Sequence, residues 1–154
     1  MPRDKLKIVV PAKEQAPAGR YVLDEQVGFL MRVAMQRHTS IFTTRIIEGL
    51  TQTQFAALAK LYEVGPCSQS HLGRLIFLDA ATIKGVVDRL GARGFITALA
   101  DPKDRRRRAV ALTERGRAVT EAAMVVAAKI TAETLAPLTT QEQRIVTQLL
   151  KKLG

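Results

Sequence analysis

One cysteine, two tyrosines and five phenylalanines make up nearly all the reactive-thiol and aromatic chemistry in 154 residues. The lone Cys67 has no intramolecular disulfide partner, and the start of the chain carries no signal-peptide pattern. A reducing cytoplasm is the expected setting. So few aromatics leave no stacking platform for single-stranded RNA. No apolar run is long enough to span a bilayer, and no basic amphipathic helix carries aromatic anchors, so no membrane partner is expected. A Gly-rich phosphate loop, a nucleophile elbow and a paired-histidine zinc motif are all missing, which argues against an enzyme. Two histidines and one cysteine, of which only Cys67 and His71 are near each other in sequence, make no persuasive metal site, and no cofactor is expected.

Acidic residues are also scarce. Asp and Glu number 14 against 24 Lys and Arg, a formal net charge of +10. Such a chain is drawn to polyanions before any specific contact forms. The charge is concentrated in residues 101–113, Asp-Pro-Lys-Asp-Arg-Arg-Arg-Arg-Ala-Val-Ala-Leu-Thr. A turn-forming Asp-Pro leads into four arginines, then an alternating apolar segment, then a helix-start signal. That order predicts a β-hairpin with a cationic tip, suited to the phosphate-lined groove of a nucleic acid.

The rest of the chain reads as helices. Residues 1–19 hold three prolines and several lysines without periodicity, and read as a mobile basic arm. Residues 21–48 form a long amphipathic helix, with Val27, Leu30, Met31, Ala34, Met35, Ile41 and Phe42 on one stripe and Gly49 at its end. Thr51 and Gln54 form a capping box for a second helix that stops near Gly65-Pro66. Ser68 caps a short third helix, and Asp79 caps a fourth that runs to about Ala92. Residues 95–99 and 109–112 are strands flanking the arginine turn. Thr113 caps a fifth helix over residues 114–136, which Pro137 interrupts. Thr139 and Glu142 open a sixth.

Three helices followed by a hairpin is the winged helix-turn-helix plan. The fold class is therefore mainly α with a small β-hairpin wing. Residues 51–113 form the DNA-binding region, while 20–50 and 114–154 supply dimerisation helices whose long apolar faces need a partner.

The motifs Asp104-x-Arg106 and Leu112-Thr113-x-x-Gly116, with Thr82, Asp88-Arg89-Leu90 and Gly94, resemble the MarR family of bacterial transcription regulators. The resemblance runs from about Tyr21 to the C-terminus. It implies an obligate homodimer on a pseudo-palindromic operator of double-stranded DNA, usually repressing nearby genes and released by a small ligand or an oxidant. Overall similarity points toward regulators of aromatic-acid breakdown, nicotinate included. The implied effector is a small aromatic acid such as a hydroxylated pyridine or benzene carboxylate.

Ser68, Gln69 and Ser70 are placed to meet a phosphate. Ala80, Ala81, Thr82, Lys84 and Asp88 lie on the outer face of the fourth helix, where alanine and threonine methyls suit thymine methyls. For Lys84 two partners stay open, guanine and phosphate. Arg89 braces the wing or a phosphate. Lys103, Arg105, Arg107 and Arg108 are candidates for backbone and groove contacts, with alternation sending neighbouring arginines to opposite faces. By the family pattern, Asp104 and Arg106 belong to the wing's structure, Arg106 pairing with Asp104 or reaching the minor groove. Gly85 departs from the family, which commonly carries a larger polar residue there. It either permits close approach to DNA or is simply tolerated.

Cys67 sits before the third helix, away from the start of the first helix where the family's single-cysteine peroxide sensors carry theirs. It reads as an ordinary small residue, with a redox sensor as the alternative. His38 lies on the apolar stripe of the first helix. It is either a satisfied interface residue or part of a pocket with Arg20, Tyr21, Phe29, Met31, Arg32, Met35 and Phe42, a set suited to a flat carboxylated ring. A nonspecific nucleic-acid or chromosome-architecture protein explains the charge equally well, but not a capped recognition helix followed by a wing.

Operator affinity should fall by about 10³–10⁵ between 50 and 200 mM salt if a dimer neutralises roughly 6–10 phosphates. A salt-independent affinity in a binding titration would remove the wing from the interface.

Overall fold

A computed structural model describes residues 19–154. The expected basic arm lies outside the described residues except for Gly19. The chain divides into two compact units, Met1–Ala34 and Met35–Gly154.

Among the described residues, six α-helices and one hairpin follow in the expected order: α1 (Val27–Arg45), α2 (Gln52–Val64), α3 (Gln69–Leu75), α4 (Ala80–Ala92), β1 (Ile96–Ala100), β2 (Arg108–Leu112), α5 (Glu114–Leu135) and α6 (Thr140–Leu153). The first helix is shorter than the apolar stripe suggested. A separate 3₁₀ turn, Leu23–Glu25, precedes it, and Gln26 between them is extended, its side chain donating to the Val22 carbonyl. At the other end Ile46 is extended and Glu48 is left-handed, at φ 58°. A periodic pattern does not register such breaks, because the apolar residues keep their spacing across them.

The helix starts obey local chemistry. The side chains of Thr51, Ser68, Asp79, Thr113 and Thr139 each accept the backbone N–H three residues on. Each thereby satisfies one of the orphan donors of a first turn. Thr51 and Thr139 complete capping boxes with Gln54 and Glu142.

The core lies within the second unit. Leu50, Leu58 and Leu61 meet Leu72 of α3, Ile83, Val86 and Leu90 of α4, Phe95 and Ile96, Val110 of β2 and Ala123 of α5. Burying each large apolar side chain contributes about 1.5–3 kcal/mol. Among the described residues no single helix is long and apolar enough to cross a membrane.

The hairpin is antiparallel, with Ile96 opposite Leu112 and Ala100 opposite Arg108. It starts one residue later than expected, because Phe95 is taken by the end of α4. Gly94 turns left-handed at φ 74°. The Phe95 N–H donates to the Leu90 carbonyl at 3.0 Å and the Gly94 N–H to that of Gly91 at 3.0 Å. That is the Schellman ending, with Leu90 and Phe95 supplying its hydrophobic contact.

The same corner receives α5. The Thr113 N–H donates to the Phe95 carbonyl at 3.0 Å, and its hydroxyl donates to the Gly94 carbonyl at 2.6 Å. Gly116 presses against this backbone. A Cβ there would stand 1.8 Å from the Phe95 carbonyl oxygen. This explains the Leu-Thr-x-x-Gly spacing: threonine caps α5 and ties it to α4, and only glycine leaves room for the carbonyl between them.

Gly116→Ala should therefore lower stability at or beyond the top of the about 1–3 kcal/mol range of overpacked sites. Gly91, also in a helix but with open space at its Cβ position, is the control: Gly91→Ala should gain up to about 1 kcal/mol. Denaturant unfolding of both variants checks this, and equal stabilities would sink the close-approach account.

Candidate nucleic-acid interface and small-molecule pocket

The start of α4 is held by Asp79, whose carboxylate accepts the Thr82 N–H at 2.8 Å and the Thr82 hydroxyl at 2.9 Å. These two bonds, the backbone one foremost, hold the Asp79 carboxyl below its ordinary value. The cap is thus complete above the ordinary Asp range and is lost as pH falls through the lowered value. Ala80, Ala81 and Thr82 are exposed. The Thr82 hydroxyl is committed to Asp79, which leaves its methyl as the free surface.

Further along the same face Lys84 pairs with Asp88 at 2.6 Å, both exposed. An exposed pair of this kind is worth about 0–1 kcal/mol at most, so a phosphate or base can compete for the ammonium. The Arg89 guanidinium folds back over Gly85, 3.6–3.8 Å from where a Cβ would stand. A Cβ there would make only ordinary van der Waals contact with Arg89. In α3, Ser68 accepts the His71 N–H at 3.2 Å, Gln69 is part-buried and Ser70 is exposed.

The wing tip is a pair of aspartate turns. Asp101 accepts the Lys103 N–H at 2.8 Å, and Asp104 accepts the Arg106 N–H at 3.0 Å. The Asp101 N–H closes the loop on the Arg107 carbonyl at 2.8 Å. Two expectations change here. Arg105, Arg106 and Arg107 lie in the turn and only Arg108 enters β2, so strand alternation does not sort them. The guanidinium that meets Asp104 belongs to Arg107, at 3.6 Å, whereas Arg106 binds it through its backbone N–H. The tight turn folds residue i+3 back over the aspartate and aims residue i+2 away. Lys103 and all four arginines are exposed.

Cys67 forms an isolated bridge with Val110: the Cys67 N–H donates at 3.2 Å, and the Val110 N–H donates back at 2.8 Å. It works as a one-residue third strand for the wing. Burial, and then the nearby charge of Asp101, push its thiol above the ordinary value. A protonated, part-buried thiol is a poor nucleophile. Among the described residues no group of three or more His, Cys, Asp or Glu is placed to hold a metal ion.

The residues expected to form a pocket fall in different units. Arg20, Tyr21, Phe29, Met31 and Arg32 lie in the first, where the Arg32 guanidinium rests 5.2 Å from the Phe29 ring. In the second, Met35 is exposed, whereas His38 and Phe42 come together, their rings 6.2 Å apart. The His38 Nδ1 is 2.9 Å from the Thr134 hydroxyl. His38 stands in the wall between two cavities. One, of about 220 Å³, is lined by Phe42, Gln52, Phe55, Ala127, Ile130 and Thr131 as well. The other, of about 380 Å³, is lined with α5 and α6 residues including Thr131, Thr134, Thr147 and Lys151. The larger falls within the usual about 300–1,000 Å³ for ligand sites. Sequence reading missed the α2 and α5 residues, because nothing local links His38 to a threonine 96 positions away.

Comparison with known proteins gives a consistent pattern. The MarR family model matches residues 50–107. The repressor NicR of Pseudomonas putida is 40% identical over 134 residues, covering 86% of this chain and 85% of its own length. A probable transcriptional regulator from Pseudomonas aeruginosa superposes with a TM-score of 0.83 at 51% identity, covering 86% of this chain and 100% of that one. BpsR of Bordetella bronchiseptica, whose DNA binding is regulated by 6-hydroxynicotinic acid, gives 0.82 at 40% identity, covering 88% and 97%.

Cys67 should alkylate with iodoacetamide more slowly than a free thiol at pH 8, and reach the free rate only in denaturant. Fast modification of the native protein would restore the redox reading.

Proposed function

The chain belongs to the MarR family of DNA-binding transcription regulators, and from that premise we propose that it acts as a homodimeric repressor released from its operator by a small aromatic acid. The observation that carries the DNA part is the joining of α4 and an arginine wing to one core through a single corner. A helix start bearing alanines and a threonine methyl suits the major groove. A turn that keeps four guanidiniums outward suits phosphates and a narrow minor groove. In this reading Ser70, Lys84, Arg89, Lys103, Arg105, Arg107 and Arg108 position the protein, while Ala80, Ala81 and Thr82 meet base edges.

Exposed apolar faces support the homodimer. In the first unit Tyr21, Leu23, Val27, Leu30 and Met31 are at least 47% exposed, and on α6 Ile145, Leu149, Leu150 and Leu153 are at least 45% exposed. Such faces mark interfaces, and a two-fold pair of recognition helices matches a pseudo-palindromic site.

The effector reading rests on the His38 pocket. An imidazole paired with a threonine hydroxyl, beside Phe42 and Phe55 rings 6.3 Å apart, offers polar and aromatic surface to a flat hydroxylated carboxylate. BpsR responds to a molecule of this class, and 6-hydroxynicotinate is the first candidate here. Arg20, Tyr21, Phe29, Met31 and Arg32 lie in the first unit, and the reading stands on the second-unit residues His38 and Phe42. Release follows if the ligand prefers a dimer whose recognition helices no longer match the roughly 34 Å repeat of successive major grooves.

The test uses duplexes that the protein selects from a random pool. Binding of 6-hydroxynicotinate should raise the melting temperature and weaken duplex affinity by about 5–150-fold. His38→Ala should keep DNA binding and lose that response. A panel of hydroxylated pyridine and benzene carboxylates that changes neither quantity would overturn the effector assignment.

A further inference from the structure

Phe77 is 87% exposed, the most of any large apolar side chain among the described residues, and its backbone is left-handed at φ 57°. It stands in the turn between α3 and α4, two residues ahead of the Asp79 cap. The Phe77 N–H donates to the Arg74 carbonyl at 3.3 Å and the Leu78 N–H to that of Gly73 at 2.9 Å, so the turn is tightly closed. Glycine adopts this conformation without conflict, whereas a side chain with a Cβ is strained in it. Burial does not offset that strain, because the ring lies in water. A bulky residue held in a costly conformation with no packing return points to a role outside the fold.

We propose that Phe77 contacts DNA, its ring packing on the deoxyribose edge of the strand that flanks the groove entered by α4. The inference rests on the DNA-binding reading above. Phe77 is continuous with the exposed start of α4, where Ala80 and Ala81 face outward. It precedes the helix, so it meets the sugar–phosphate rim before the base edges. The surrounding element is cationic: Arg74, Lys84, Arg89 and Arg93 stand against Asp79 and Asp88 between residues 68 and 93. A polyanion with apolar sugar faces fits that field, whereas an apolar protein surface does not. Sugar contacts fix register and orientation without reading sequence.

Phe77→Gly and Phe77→Asn, both tolerant of a left-handed backbone, are compared with the full-length wild type on duplexes that the wild type selects from a random pool. Phe77→Leu keeps an apolar side chain under the same strain. The Gly and Asn variants should melt no lower than wild type and bind about tenfold more weakly, the scale of one lost specific contact. Phe77→Leu should bind more tightly than either. The slope of log affinity against log salt should be unchanged, because no charge is removed, whereas Arg105→Ala should reduce it by roughly one. Unchanged affinity in the Gly and Asn variants would overturn the proposal, as would a change of oligomeric state by sedimentation, which would assign the ring to a protein contact. A wild type that selects no duplex would instead overturn the DNA-binding reading itself.

Discussion

The backbone of residues 94 and 95 is the point on which the arrangement of α4, the hairpin and α5 depends. Gly94 turns left-handed, Phe95 closes α4, and the carbonyls of both accept from Thr113. Gly116 then brings α5 against the same peptide group. The Phe95 ring is fully buried, with the guanidiniums of Arg93 and Arg115 at 4.7 and 5.1 Å from its centroid. Arg93 also donates to the Glu48 carbonyl at 2.6 Å. The end of α4, both ends of the hairpin and the turn after α1 thus converge on one corner. A shift in any of them moves the spacing of α4 and wing together.

Electrostatics near the interface follow from how the acids are used. Asp79, Asp101 and Asp104 direct carboxylate oxygens at backbone N–H groups of their own turns. They shape the segments that present cations and take up little of the cationic charge. Asp88 pairs with Lys84 and Asp104 also meets Arg107, but both pairs are exposed. Lys103, Arg105, Arg106 and Arg108 stay outward. A net charge of +10 thereby becomes a directed surface.

What the sequence disclosed was what local chemistry decides. Thr51, Ser68, Asp79, Thr113 and Thr139 each announce a helix start, because capping involves only the next three residues. Asp-Pro and the arginine run announce the turn for the same reason. Contacts between distant segments were not legible. Thr134 beneath His38, Arg93 on Glu48 and the bridge from Cys67 to Val110 depend on packing that no spacing encodes. The left-handed Glu48 and Phe77 were hidden for a different reason: neither residue type advertises that conformation, so sequence offers only the apolar pattern that runs past them.

A DNase footprint of the intact protein on a selected duplex tests the central claim most directly. A regulator built on paired α4 helices and wings should protect one short, two-fold symmetric site, with half-sites about one helical turn apart or a multiple of it. Uniform protection along the duplex, growing with protein concentration and indifferent to sequence, would contradict that account and make the charge a packaging device.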